Sequence, residues 1–229
     1  MRSSTREENT EFNRSEFFAR LTALKPSSVL DVGCGSGDIL RRCKLAGIEA
    51  TGVEPSPDLE LTRGLHVIDS EAETLPFDDA SFDWVTMRFV PHHLREPALA
   101  FAEAIRVCRS GFLVAEPWFD TSLASQRTSL ALDEWVKRQH RRGGMVHESV
   151  LSADELIRAL PSREFELQVD TSMRVRSWPL DHVEEEVRAH LAALPAEHAD
   201  RSGFADLRSD IERDGITWNG SVFVIVRRY

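Results

Sequence analysis

The sequence predicts an α/β fold: a parallel sheet with helices packed on both of its faces. Two observations carry this. Five short apolar runs, Val29–Val32, Ile48–Glu54, Leu65–Asp69, Phe82–Val90 and Gly111–Glu116, have the length of buried strands and are bounded by turn residues. Helical patterns alternate with them, and crossovers of that kind join parallel strands with right-handed connections.

Taken in order, residues 1–11 are polar and are expected to be a flexible tail. From Phe12 to Leu24, the residues Phe17, Phe18, Leu21 and Leu24 recur at helical spacing, and Pro26 marks the stop. The strand Val29–Val32 runs into a loop with glycines at 33, 35 and 37. A helix over Asp38–Ala46 follows, with Ile39, Leu40 and Cys43 on one face and Gly47 at its C-terminal end. Pro97–Cys108 forms an amphipathic helix before the fifth strand.

After Glu116 the rhythm changes. Ser122–Arg142 reads as a helix broken by Gly143-Gly144, and Ser152–Leu160 as a short capped helix. Phe165–Val175 alternates like a strand, His182–Leu194 and Phe204–Arg213 are helical, and Ser221–Arg228 is a closing strand. The chain is expected to be one domain over 1–229, with a core at 29–116. The segments 117–150 and 182–214 are expected to be helical insertions that close over a substrate.

A net charge of −10 and a pI near 5.3 argue against a nucleic-acid partner, which asks for clustered positive charge. No apolar run approaches the ~18 residues of a membrane span, and the first residues lack the apolar stretch of a secretory signal. Cys34, Cys43 and Cys108 form no C-x-x-C pair, so neither a disulfide framework nor a zinc cluster is indicated, and a reducing cytoplasm is expected. The basic run Lys137–Arg142 reads as a solvated helix end, with an anion contact as the alternative. The oligomeric state is open.

The glycine loop decides the ligand. A dinucleotide fingerprint spaces its glycines G-x-G-x-x-G, whereas here the third comes one residue early. Asp31, just before the first glycine, would repel a pyrophosphate and suit a cation. Glu54, at the end of the second strand, can accept two ribose hydroxyls. A nucleoside with a ribose, no phosphate and a positive group fits, and S-adenosylmethionine (SAM) has those features.

In order and spacing, "DVGCGSG", "GVEPS" and "SEAETLPFDDASFDWVTMRFVPHHL" resemble a class I SAM-dependent methyltransferase of the type 11 branch, which also includes quinone-biosynthesis C-methyltransferases. The resemblance covers Val29 to Glu116. It implies a Rossmann-like seven-stranded sheet of order 3-2-1-4-5-7-6 with an antiparallel last strand. It also implies that Asp31 and the backbone of Gly33 and Gly35 hold the methionine moiety, with Cys34 and Gly37 completing the loop. Glu54, beside Pro55, takes the ribose. Glu71 and the Ala72 N–H take the adenine, and Met87 and Arg88 border the methionine end. The chain departs from the pattern at Ser70-Glu71 (usually Gly-Asp), at Arg88 (commonly small) and at Pro91 (usually apolar).

Methyl transfer is an in-line displacement from an activated sulfonium, to which proximity contributes much and a base only where the acceptor must lose a proton. His92 and His93 follow the fourth strand and Glu116 ends the fifth, on the edge where ligands of such sheets sit. These three are the candidate catalytic residues; alternatively the histidines belong to the scaffold and Glu116 caps the segment after it. Trp118, Phe119 and Trp135 either wall an apolar pocket or pack the core. His140 and His147 flank Gly143-Gly144, a plausible lid hinge or plain surface. With the histidines scattered and no H-E-x-x-H, no metal site is expected. The expected function is SAM-dependent methylation of a small molecule, with S-adenosylhomocysteine (SAH) as product. A SAM-binding protein without methyl transfer and a nicotinamide-dependent oxidoreductase are the rivals.

Overall fold

The computed structural model describes residues 5–162, 164–195 and 201–229. Seven strands form one sheet: β1 (Ser28–Val32), β2 (Glu49–Val53), β3 (Val67–Ile68), β4 (Phe82–Arg88), β5 (Cys108–Trp118), β6 (Glu166–Ser172) and β7 (Gly220–Arg227). Their order is β3-β2-β1-β4-β5-β7-β6. β1 to β5 pair in parallel, while β7 runs antiparallel to both β5 and β6. Among the described residues, seven α-helices accompany them: α1 (Thr5–Ala23), α2 (Asp38–Leu45), α3 (Pro97–Val107), α4 (Ala124–Arg142), α5 (Ala153–Arg158), α6 (Leu180–Ala193) and α7 (Arg201–Asp214).

Strand alternation sorts side chains between the faces. From β1 and β4, Leu30, Val32, Val85 and Met87 join α3 and α5 in one core through Phe101, Ile105 and Leu156. Val29 and Trp84 point the other way, onto Phe17 and Leu21 of α1 and Ile39 and Cys43 of α2. Both faces of the sheet are covered, which explains why the strands read as apolar runs rather than alternating ones. A third cluster, built by Leu132 and Trp135 of α4, Val183 and Val187 of α6, and Leu207 and Ile211 of α7, packs the inserted helices on one another.

Two expectations are corrected here. The tail begins as helix at Thr5, and α1 buries Asn9 and Asn13 to 8% and 3% exposure. Arg42 of α2 meets the Glu11 carboxylate at 2.7 and 2.8 Å. Polar, long-range contacts of this kind leave no apolar periodicity to read. Residues 1–4 of the expected tail and 196–200 of the second insertion lie outside the described residues. Lys137 is not part of a solvated helix end: it is 1% exposed and pairs with Asp133 at 2.9 Å. Trp135 is fully buried in the helical cluster, so of its two readings core packing holds.

Candidate active site

β1 lies at the sheet centre between β2 and β4, so its C-terminal end opens onto the crevice where parallel sheets bind ligands. The chain leaves it through Gly33, whose φ of 70° is left-handed and whose N–H donates to Val53 O at 2.8 Å. A Cβ at Gly33 would overlap the Val90 side chain. Only glycine fits, for both reasons. The next glycine donates its N–H to Glu54 Oε2 at 2.8 Å, which ties the loop to the end of β2.

A cavity of about 230 Å³ opens against this loop. Gly33, Gly35, Glu54, Pro55, Glu71 and Ala72 line it, as the sequence predicts for a cofactor site, and His93 joins them. Val53, Ser70, Phe89, Val90 and Leu94 line it as well. Phe89 carries its own signal: its φ is 61° in a bulky residue, held by its N–H donating to Ala115 O at 2.8 Å. Such strained backbone concentrates at functional sites.

Five predicted cofactor residues, Asp31, Cys34, Gly37, Met87 and Arg88, do not line the cavity. Met87 is fully buried in the α3-side core, where strand alternation sends it. Arg88 lies on the opposite face, its guanidinium 5.2 Å from the Phe89 ring, and burial lowers its pKa while the Asp31 charge opposes that shift. Cys34 packs against Gly52, where a Cβ would stand 2.6 Å from its sulfur. Burial pushes that thiol up to about 12, so it stays protonated. Gly37, with φ 79°, caps the N-terminus of α2 and leaves room for Leu65.

Asp31 sits beneath the loop, 3% exposed. Its Oδ1 accepts one hydrogen bond, from Thr86 Oγ1 at 2.8 Å. Burial pushes the carboxyl up to about 6, and the negative Glu54 and Asp38 push the same way against Thr86 and Arg88. A buried carboxylate with one donor is short of positive charge.

At the tips of β4 and β5, the 3₁₀ turn Pro91–His93 brings His92 against Glu116. His92 Nδ1 lies 2.9 and 2.8 Å from the two carboxylate oxygens, with the His side chain 6% and the Glu side chain 0% exposed. Burial drives the Glu116 carboxyl up to about 8 and the His92 imidazolium down to about 4. Burial thus disfavours charge on both groups. His93 Nδ1 lies 3.4 Å from Val146 O, as its scaffold reading would have it, yet its ring also faces the cavity.

His147 is neither plain surface nor a lid hinge: it stacks on His92, with ring centroids 5.3 Å apart, and stands 4.4 Å from His93. Its segment is docked by the Glu148 N–H, which donates to His92 O at 2.7 Å. The histidines scattered along the sequence gather here, because the fold brings His93 and His147 together across 53 intervening residues.

A second cavity, of about 210 Å³, is lined by Phe119, Leu132, Asp133, Trp178 and Trp218 among others. The two indoles stack at 3.9 Å, and their N–H groups are buried with no partner among the described residues. Of the three aromatic residues predicted as pocket walls, only Phe119 lines it; Trp118 packs against the α3-side core. Asp133 of this cavity pairs with Lys137, whose charge acts on both His92 and Glu116. Buried polar groups thus lead from one cavity toward the other.

The methyltransferase domain model matches residues 30–115, from β1 to β5. The ubiquinone biosynthesis O-methyltransferase of Methylococcus capsulatus is 28% identical over 155 residues, covering 63% of this chain and 65% of that protein. Two solved structures share the fold. One is a cyclopropane-fatty-acyl-phospholipid synthase-like protein from Lactobacillus casei (TM-score 0.70, 17% identity, 99% of this chain and 94% of that one). The other is a SAM-dependent methyltransferase from Archaeoglobus fulgidus (TM-score 0.59, 20% identity, 94% of each chain). The glycine loop, the strand order and the domain match agree, and residues 30–115 carry a methyltransferase domain on a Rossmann-like sheet.

Proposed function

We propose that this methyltransferase transfers the methyl group to a hydroxyl oxygen of a small, partly aromatic acceptor. The observation that carries the reading is the buried His92–Glu116 pair at the tips of β4 and β5, beside the glycine-loop cavity and electrostatically linked to the aromatic one. A hydroxyl must lose its proton to become a good nucleophile, and imidazoles held by a carboxylate are suited to that task. The O-methyltransferase relative supports an oxygen acceptor.

The residues present fit the cofactor. Asp31 is a buried carboxylate with one hydrogen bond, and a neighbouring ammonium would offset its charge. Gly33 admits no side chain, so a ligand approaches the backbone directly. Glu54 and Glu71 stand in the wall of the cavity as acceptors for ribose and adenine, and the Ala72 backbone lies beside them. SAM supplies a methyl group on a sulfonium that leaves as a neutral thioether. The chain's own contribution is to hold Asp31 against the cation, to fix the loop through Gly35 and Glu54, and to set the imidazoles where the acceptor's hydroxyl arrives. The stacked Trp178 and Trp218, with Phe119, receive the acceptor's apolar part.

Among the described residues no helix is long and apolar enough to cross a membrane, and all three cysteines are free and buried. Both support a cytoplasmic enzyme. The test is methyl-labelled SAM incubated with phenols, carboxylates and amines. Label in a hydroxylated acceptor with matching release of SAH supports the proposal. Label confined to amines or carboxylates overturns it, and tight SAM binding with no transfer to any class favours a binding protein.

A further inference from the structure

Five of the eight histidines meet in one place: His92, His93, His147, His140 and His190 form a chain of ring contacts with centroid separations of 4.3 to 5.3 Å. One ring nitrogen from each of His92, His93 and His147 lies within 4.8 Å of the other two. In all three rings Nδ1 is engaged: on the Glu116 carboxylate at 2.8 Å, on Val146 O at 3.4 Å, and on His140 Nδ1 at 2.5 Å. Nε2 of each ring has no hydrogen-bond partner among the described residues. An imidazole whose Nδ1 is held by a carboxylate or a carbonyl is the arrangement that orients Nε2 toward a metal ion.

We propose that His92, His93 and His147 bind one divalent transition ion, zinc or a similar borderline-soft cation, through their Nε2 atoms. A tetrahedral zinc ion at about 2.05 Å from each nitrogen separates its ligands by about 3.4 Å. His93 is exposed and His147 half-buried, so both rings have room to turn toward that distance. His147 stays within reach because its segment is docked on the turn through the Glu148 N–H, and because Arg141 Nη1 donates to His147 O at 2.5 Å. Of the cations nearby, Lys137 is paired with Asp133 at 2.9 Å, and Arg141 lies 3.9 Å from Glu134 and from Glu148.

Three imidazoles leave a fourth position open, which is the pattern of catalytic rather than structural zinc. His93 lines the glycine-loop cavity, so the open position is at its edge. With the ion bound the three imidazoles would not act as bases; an acceptor hydroxyl at the open position would instead lose its proton to water, because the ion would stabilise the oxyanion. That consequence rests on the O-methylation proposed above; the binding of the ion does not.

The test uses the full chain, stripped with a chelator and titrated with cobalt(II). The expected result is one equivalent bound, with the intense visible absorption of tetrahedral cobalt and displacement by zinc. His93→Ala and His147→Ala should each weaken cobalt binding at least tenfold with circular dichroism unchanged, whereas His182→Ala, on α6, should not change it. Absence of tetrahedral absorption overturns the proposal. So does cobalt binding that survives removal of both His93 and His147, which would mark adventitious binding at surface histidines. SAM affinity of the chelated protein, measured separately, reports on the methyltransferase reading alone.

Discussion

Replacing Asp31 with Asn should stabilise the ligand-free protein and weaken its hold on SAM. The carboxyl is fully buried, keeps one hydrogen bond to Thr86 at 2.8 Å, and is held at about 6 instead of its ordinary 3.8. That difference corresponds to about 3 kcal/mol of instability once the group is ionised. Between 3.8 and about 6 the folded state holds the Asp31 proton that the unfolded chain releases, so this residue's contribution to stability falls as pH rises through that window. Above it the cost is constant. Asn carries no charge and still accepts from Thr86, so Asp31→Asn should gain up to about 3 kcal/mol near pH 7.5 and little near pH 4. In a chain of this size that is roughly 6–12 °C in melting temperature. SAM affinity should fall at least tenfold, because a charged partner for the ammonium is gone. Thermal melts at several pH values and calorimetric titration check both halves. A variant that is less stable than wild type near pH 7.5, or that binds SAM equally well, would refute the reasoning.

Other outcomes follow from the same geometry. Glu54→Ala removes both the anchor of the Gly35 N–H and the proposed ribose acceptor, so SAM should bind at least tenfold more weakly in equilibrium dialysis. Gly33→Ala should cost at least about 1–2 kcal/mol from its left-handed backbone alone, with the overlap on Val90 added. Adding Val90→Ala should return only the overlap part in denaturant melts. Trp135→Ala empties the centre of the helical cluster and should cost about 3–5 kcal/mol, while SAM affinity at the distant glycine loop stays within a factor of two or so.

The core from β1 to β5 was legible because each buried strand is a continuous apolar run and because glycine alone satisfies the backbone after β1. The cofactor cavity followed from that: Gly33, Gly35, Glu54, Glu71 and Ala72 all line it. Met87 and Arg88 misled because closeness in sequence to the strand end does not say on which face a side chain falls. Strand alternation sends Met87 to the core, and the residues beyond the strand, Phe89 and Val90, reach the cavity instead. Positive φ at Phe89 has no sequence signature in a bulky residue. The start of α1 was missed because Asn9 and Glu11 contribute polar contacts, and periodicity records only apolar ones. The histidine cluster was invisible for a related reason. Its members come from the turn after β4, from α4 and the segment behind it, and from α6, and no short motif spans them.

The central claim is that the glycine-loop cavity binds a phosphate-free cationic nucleoside. Calorimetric titration of the full chain with SAM, SAH and NADH, after removal of carried-over ligand, tests it most directly. The account predicts micromolar binding of SAM and SAH and none of NADH. Binding of NADH, or of neither sulfur nucleoside, would contradict it.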